Sequence, residues 1–220
     1  MSINKKLKII VIGLGYVGLP LSIEFGKKRE VIGFDINKQR IKELNQGIDH
    51  TREIKSIQFK KAKKLTFTFK ENEIRTKDKT IFIITTPTPI DKNKRPDLSF
   101  LKKACQTVGR YLKYNDVVVF ESTVFPGCTE DFCVPILQKV SKLKFNKDFF
   151  CGYSPERINP GDESHKINNT IKVVSGSNPK ITKLLKSLYS EIVNAGVYLA
   201  PSIKVAEAAK VIENTQRDLN

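Results

Sequence analysis

A doubly wound α/β fold built on a mostly parallel sheet is predicted by three observations. Short apolar runs rich in β-branched residues recur along the chain, and stretches of helical pattern alternate with them. The first run leads directly into Gly13-Leu14-Gly15-Tyr16-Val17-Gly18, which opens a helical stretch. The second run, Val31-Ile-Gly-Phe34, ends on an acidic residue, Asp35.

The elements follow in order. Lys8-Ile-Ile-Val-Ile12 is the first strand, and a helix is expected from Leu19 to about Lys28. Residues 36–64 are polar and helix-prone, with Ile41 and Leu44 as inward positions. Residues 65–69 alternate and read as a short strand. Thr80-Ile-Phe-Ile-Ile84 is a buried strand that runs into Thr85-Thr86-Pro87-Thr88-Pro89. After a polar insertion at 91–97, residues 98–112 read as a helix. A strand at 116–120 leads into Glu121-Ser122-Thr123-Val124. Thr129 stands where it would cap a helix from about Glu130 to Val140, although Pro135 interrupts that pattern. A strand at 149–153 ends in Ser154-Pro155-Glu156-Arg157, and 172–175 reads as the last strand of the sheet. A helix at 179–193 and a short extended piece at 197–199 follow. A final helix begins near Ser202 and is still in progress at Asn220. The expected division is a dinucleotide-binding unit over 1–200 and the start of a second, helical unit over 201–220.

The glycine run has mechanical reasons for its spacing. Gly13 permits the tight turn off the strand. Gly15 lets a pyrophosphate approach the backbone, and Gly18 lets the helix pack close to the strand. The helix N-terminus offers N–H groups and a positive dipole end to the phosphates. Asp35 stands where a carboxylate accepts hydrogen bonds from ribose hydroxyls and repels a 2′-phosphate, so NAD is expected over NADP, with Arg40 close by. The sheet is therefore expected to be Rossmann-type.

The chain of 220 residues carries a formal net charge of +16, with 40% hydrophobic and 28% charged residues. Its lysines are spread along the whole length. The densest cluster, Lys60, Lys61, Lys63 and Lys64, lies in no recognisable nucleic-acid module and reads as a solvated face. No nucleic-acid partner is expected, and the field would attract anionic small ligands instead. No apolar run approaches the ~20 residues of a membrane span. The N-terminus has no signal-peptide pattern, and a cytoplasmic protein is expected. Cys105, Cys128, Cys133 and Cys151 form no CxxC, and the two histidines, His50 and His165, do not complete a metal-ligand spacing, so no metal site is expected.

Three polar clusters stand at the carboxyl ends of expected strands: Thr86-Pro87-Thr88, Ser122-Thr123 and Glu156-Arg157. With Gly13 to Gly18 they should face one crevice. Thr123 suits a bond to substrate, water or nicotinamide, or a turn cap. Glu156 suits a general base or water-positioning group, or a surface carboxylate paired with Arg157. Glu207, Lys210 and Asn214 share one face of the final helix. Taken alone, that face reads as solvated.

Together these motifs resemble the UDP-glucose/GDP-mannose dehydrogenase family, the nucleotide-sugar 6-dehydrogenases. The resemblance runs from the Gly-Tyr-Val-Gly turn through Asp35 with Arg40, Thr86-Pro87-Thr88, Ser122-Thr123-Val124 and Pro155-Glu156 to Lys210 and Asn214. It implies a two-step, NAD-dependent oxidation of a sugar C6 alcohol to a carboxylate, with a UDP-sugar as substrate and surface polysaccharide as destination. It implies cofactor contacts from Gly13, Leu14, Gly15, Tyr16, Val17, Gly18, Asp35, Arg40, Thr86, Pro87, Thr88, Ser122 and Thr123. Thr123 and Glu156 would handle water and protons, while Lys210 and Asn214 would hold the sugar oxygen. Arg157 and Asn159 join Glu156 on the substrate side. Four residues after Glu156 the UDP-glucose branch carries a second Glu. Here Pro160 stands, as in the branch acting on UDP-N-acetylhexosamines, which Thr215-Gln216-Arg217-Asp218 also resembles. The family's catalytic cysteine and UDP-binding domain would lie beyond Asn220, and none of the four cysteines matches the former. The expectation is a cofactor-binding half whose final helix would start the family's central dimerisation helix.

Overall fold

A computed structural model describes residues 7–156 and 167–219, side chains 217 and 218 apart. Among the described residues, eight strands form one sheet in the order β3-β2-β1-β4-β5-β6-β7-β8. They are β1 (Lys8–Ile12), β2 (Val31–Phe34), β3 (Leu65–Thr68), β4 (Thr80–Ile84), β5 (Val117–Phe120), β6 (Phe150–Tyr153), β7 (Lys172–Gly176) and β8 (Val197–Leu199). Ile9 pairs with Val31 on one side and Ile81 on the other, so β1 lies inside the sheet, and its apolar residues are shielded on both faces. Every pairing is parallel except β6 with β7. The chain winds outward from β1 to β3, then crosses back to β4 on the other side of β1. That reversal opens a crevice at the carboxyl ends of β1 and β4.

Alternation along the strands feeds two cores. Ile10, Ile12, Phe82 and Ile84 face the helices α4 (Ser99–Tyr111), α5 (Val134–Ser141) and α7 (Ile203–Leu219), through Leu101, Val108, Leu137 and Ala206. Ile9, Val11, Ile81 and Ile83 face α1 (Gly18–Gly26), α2 (Lys38–Asn45) and α6 (Pro179–Tyr189), through Leu19, Phe25, Ile41, Leu44 and Leu185. Covering both faces of a parallel sheet accounts for the uninterrupted apolar runs in the sequence.

Three local expectations are refined or corrected. The 36–64 stretch forms two helices, α2 and α3 (Ser56–Lys61), because Gly47 and Arg52 adopt positive φ and Asp49 gathers the Thr51, Glu53 and Ile54 N–H groups into a turn. Thr129 caps no helix. A wide turn of π type occupies Cys128–Cys133, and Pro135 falls in the first turn of α5, where its missing N–H costs little. The Gly127 and Thr129 N–H groups go to the Glu207 carboxylate of α7, at 2.5 and 2.9 Å. Finally, 172–175 is not the last strand, because 197–199 extends the sheet beside it in parallel register. All four cysteines are free and buried in the core between the sheet and α4, α5 and α7. A hydrogen bond with Cys133 pushes the Cys128 thiol well up, a hydrogen bond with Cys105 does the same for Cys133, and burial adds to both, which favours the protonated thiols.

Candidate functional site

A crevice of about 630 Å³ runs along the carboxyl edge of the sheet. At its centre is the glycine turn. Gly13 has φ +95, a conformation a side chain would strain. A Cβ at Gly18 would lie 1.9 Å from the Gly13 carbonyl, so the first turn of α1 reaches the strand only because Gly18 has none. A Cβ at Gly15 would meet nothing within 4 Å, which leaves open space above the turn. Thr85, at the end of β4, donates to the Gly13 carbonyl at 2.7 Å and ties the two sides of the reversal together.

Asp35 stands at the tip of β2 on the crevice wall. Its Oδ2 accepts the Leu14 N–H at 2.8 Å, and its Oδ1 accepts from Asn37 at 2.9 Å. Each oxygen keeps a second lone pair for a ligand hydroxyl. Arg40 is buried behind the turn. Its Nε donates to the Leu14 carbonyl at 3.0 Å, and Nη1 pairs with Asp49 at 2.7 Å. Leu14 is thus held from both ends, by Asp35 at its N–H and Arg40 at its carbonyl.

On the other side the strand-end hydroxyls divide. Ser122 donates to the Thr86 carbonyl and Thr88 to the Thr123 carbonyl, both at 2.6 Å, so they stitch the two loops together. The Thr86 hydroxyl is buried without a protein partner, on the wall of the crevice. Thr123 Oγ1 lies 3.3 and 3.2 Å from the two Glu156 carboxylate oxygens. Behind Glu156 stands the buried Lys210 of α7. Its ammonium donates to the Glu156 carbonyl at 2.7 Å and pairs with Oε1 at 3.0 Å. Asn214 follows one turn later, half-buried. Burial and the Glu156 charge push the phenol of Tyr16, on the crevice rim, upward. Arg157 and Asn159 lie outside the described residues. Among the described residues, no cluster of His, Cys, Asp and Glu could hold a metal ion, and no helix is long and apolar enough to cross a membrane.

Residues 7–193 match the profile of the UDP-glucose/GDP-mannose dehydrogenase family, NAD binding domain. This chain belongs to that family. Among curated family members, UDP-N-acetyl-D-glucosamine 6-dehydrogenase of Pseudomonas aeruginosa is 59% identical over 216 residues, and its namesake in Salmonella typhi is 56% identical over 215; each match covers 98% of this chain. The chain spans about half the length of these relatives, 51% and 50%. The solved UDP-D-ManNAc dehydrogenase from Pyrococcus horikoshii superposes with a TM-score of 0.88 at 33% identity, over 96% of this chain and 50% of that one.

The site also rests on residues that local sequence patterns do not mark. Glu121 and Lys172 form a buried pair at 2.6 Å, Tyr189 donates to the other Glu121 oxygen, and Lys172 donates to the Pro155 carbonyl at 3.0 Å. This network fixes the backbone immediately before Glu156. Its members are 51 and 68 positions apart, so no short motif announces them. Glu71, Phe100, Lys103 and Arg110 line the crevice beyond Asp35. On α4 the crevice-facing residues follow the same helical spacing as core residues, and only the pairing of elements separates the two.

Proposed function

We propose that the chain is the NAD-binding half of an enzyme that oxidises the C6 hydroxyl of a UDP-N-acetylhexosamine to the uronic acid, feeding surface polysaccharide synthesis in the cytoplasm. The observation that carries this reading is the convergence of Thr123, Glu156 and Lys210 at one end of the crevice, whose middle is the glycine turn. The open space above Gly15, the α1 N-terminus and the unpartnered Thr86 hydroxyl fit a dinucleotide. NAD, when bound, accepts the hydride that leaves the sugar C6. Asp35 accepts its ribose hydroxyls, and Arg40 acts one step removed, through Leu14. Lys210 has three N–H donors, two of them engaged by Glu156, and the third serves the sugar oxygen and stabilises its developing negative charge. Asn214 orients the same oxygen. Glu156, with Thr123 at its carboxylate, takes the proton from the alcohol or from water. The substrate class is supported by the names of the two bacterial relatives, which are more than half identical. A homodimer through the final helix completes the reading.

Calorimetric titration of this chain with NAD tests the cofactor assignment. Binding to the wild type, weakened about tenfold or more in Asp35→Ala through loss of charge-assisted hydrogen bonds, is expected. A folded chain that takes up no NAD overturns it. Mixing the chain with the C-terminal half of the Pseudomonas aeruginosa relative, NAD and UDP-N-acetylglucosamine tests the reaction. NADH absorbance should rise with wild type and stay flat with Lys210→Met. NAD binding without NADH in any such mixture would favour a binding module.

A further inference from the structure

The order of the strand ends along the crevice spells out the direction of its ligand. From one side to the other the wall is built by Glu71 after β3, Asp35 after β2, the glycine turn after β1, Thr86 after β4, Thr123 after β5 and Glu156 after β6. Six strands at ~4.8 Å spacing span about 24 Å. If the reacting end lies at Glu156 and the ribose at Asp35, the purine lies past Asp35, toward β3. There Ile36 and Phe100, both exposed, flank the crevice as apolar surfaces for a flat base.

Beyond them stands a polar end wall. Glu71 opens the short turn after β3, and Thr107 and Arg110 are on α4. Arg110 Nη2 lies 2.5 Å from Glu71 Oε2 and 3.1 Å from the Thr107 hydroxyl, which lies 3.4 Å from Glu71 Oε1. All three line the crevice. The pair presents an acceptor next to a donor. Adenine presents the complement along one edge: the 6-amino group donates and ring N1 accepts. Hypoxanthine reverses both, with an O6 acceptor and an N1–H donor.

We propose that Glu71 and Arg110 read the base edge, Glu71 accepting the 6-amino N–H and Arg110 donating to N1, so that the site selects adenine over hypoxanthine. This rests on the reading of the crevice as a dinucleotide site. The carboxylate repels O6 of the wrong base, and discrimination through a repulsive contact is how a half-exposed site achieves selectivity.

Titration of the wild-type chain with NAD and with nicotinamide hypoxanthine dinucleotide tests it. The two ligands share everything except the base edge. The hypoxanthine analogue should bind about tenfold more weakly, the scale of one hydrogen bond to a charged group. In Glu71→Gln the side-chain amide can turn to offer either a donor or an acceptor, and the ratio of the two affinities should collapse toward one. A merely structural tie between Glu71 and α4 would change both affinities together and leave the ratio in place. Equal binding of both ligands by the wild type, or an unchanged ratio in Glu71→Gln, overturns the base-edge assignment while the cofactor reading stands. Binding of neither ligand by the folded chain removes the cofactor reading and this inference with it.

Discussion

Lys172 sits almost fully buried between the Glu121 carboxylate, the Pro155 carbonyl and the Tyr189 ring. Lys172→Met should cost about 3–5 kcal/mol of stability, since it strands Glu121 as a buried charge. Urea unfolding of the two proteins measures this, and a loss below about 1 kcal/mol would mean that water reaches Glu121. Asp49 makes a pH prediction. Burial works against its charge, but hydrogen bonds from Thr51, Arg40 and the Ile54 N–H, with the Arg40 charge, hold the carboxyl below its usual range. A carboxylate with a depressed folded pKa stabilises the fold above its unfolded pKa, about 3.9, and loses that contribution as the pH falls through the folded value. Asp49→Asn should therefore destabilise at pH 6 and converge on the wild type as the pH falls below the folded pKa of Asp49, as read from thermal melts at descending pH. At this scale the sequence was legible where a residue's role is local. The glycines and Asp35 carry their reasons in their spacing. Arg40 was legible as a neighbour of Asp35, but not as a buried prop, because its partner Asp49 is fixed by a turn that the helix-prone composition of 36–64 concealed.

The final helix turns two faces to its surroundings. Ile203, Ala206, Glu207 and Lys210 form the buried stripe, and Glu207 anchors it to the turn at Gly127. Val205 and Ile212 lie on the other side, 46% and 65% exposed. An apolar stripe of this kind favours association, so the chain is expected to self-associate in analytical ultracentrifugation, and Val205→Lys with Ile212→Lys should shift it toward monomer. A wild-type chain that is monomeric at high concentration would contradict the expected dimer face. The helix face that reads as solvated by pattern alone is the docked one, because Glu207 and Lys210 find a backbone turn and a carboxylate contributed by distant segments. β8 reads as an extended piece and not a sheet strand for a similar reason. Three residues, two of them exposed, carry too little hydrophobic pattern to reveal a neighbour.

The whole molecule was the most legible level. Parallel strands buried on both faces write themselves as apolar runs, and a glycine turn after the first of them locates the crevice. Strand order was less accessible, since nothing within a run states its neighbours. The overall charge of +16 adds a long-range term. NAD affinity should fall as NaCl is raised from ~0.1 M to ~1 M, while the Debye length contracts from about 10 Å to about 3 Å. Calorimetry at the two salt concentrations checks this, and unchanged affinity would mean that close contacts alone hold the ligand.

The reversed direction of β7 sets how far a designer can trim the protein. Because β7 runs against β6, it begins at the crevice edge and delivers Lys172 there. A parallel strand would have started at the opposite edge of the sheet, about 13–17 Å away. The dinucleotide motifs themselves end with β6, which invites a minimal version cut after Glu156. That cut would discard Lys172 and Tyr189 and leave the Glu121 carboxyl in the floor of the crevice without its two side-chain partners. The smallest portable version of this domain therefore includes β7 and α6, although neither contributes a residue to the crevice wall.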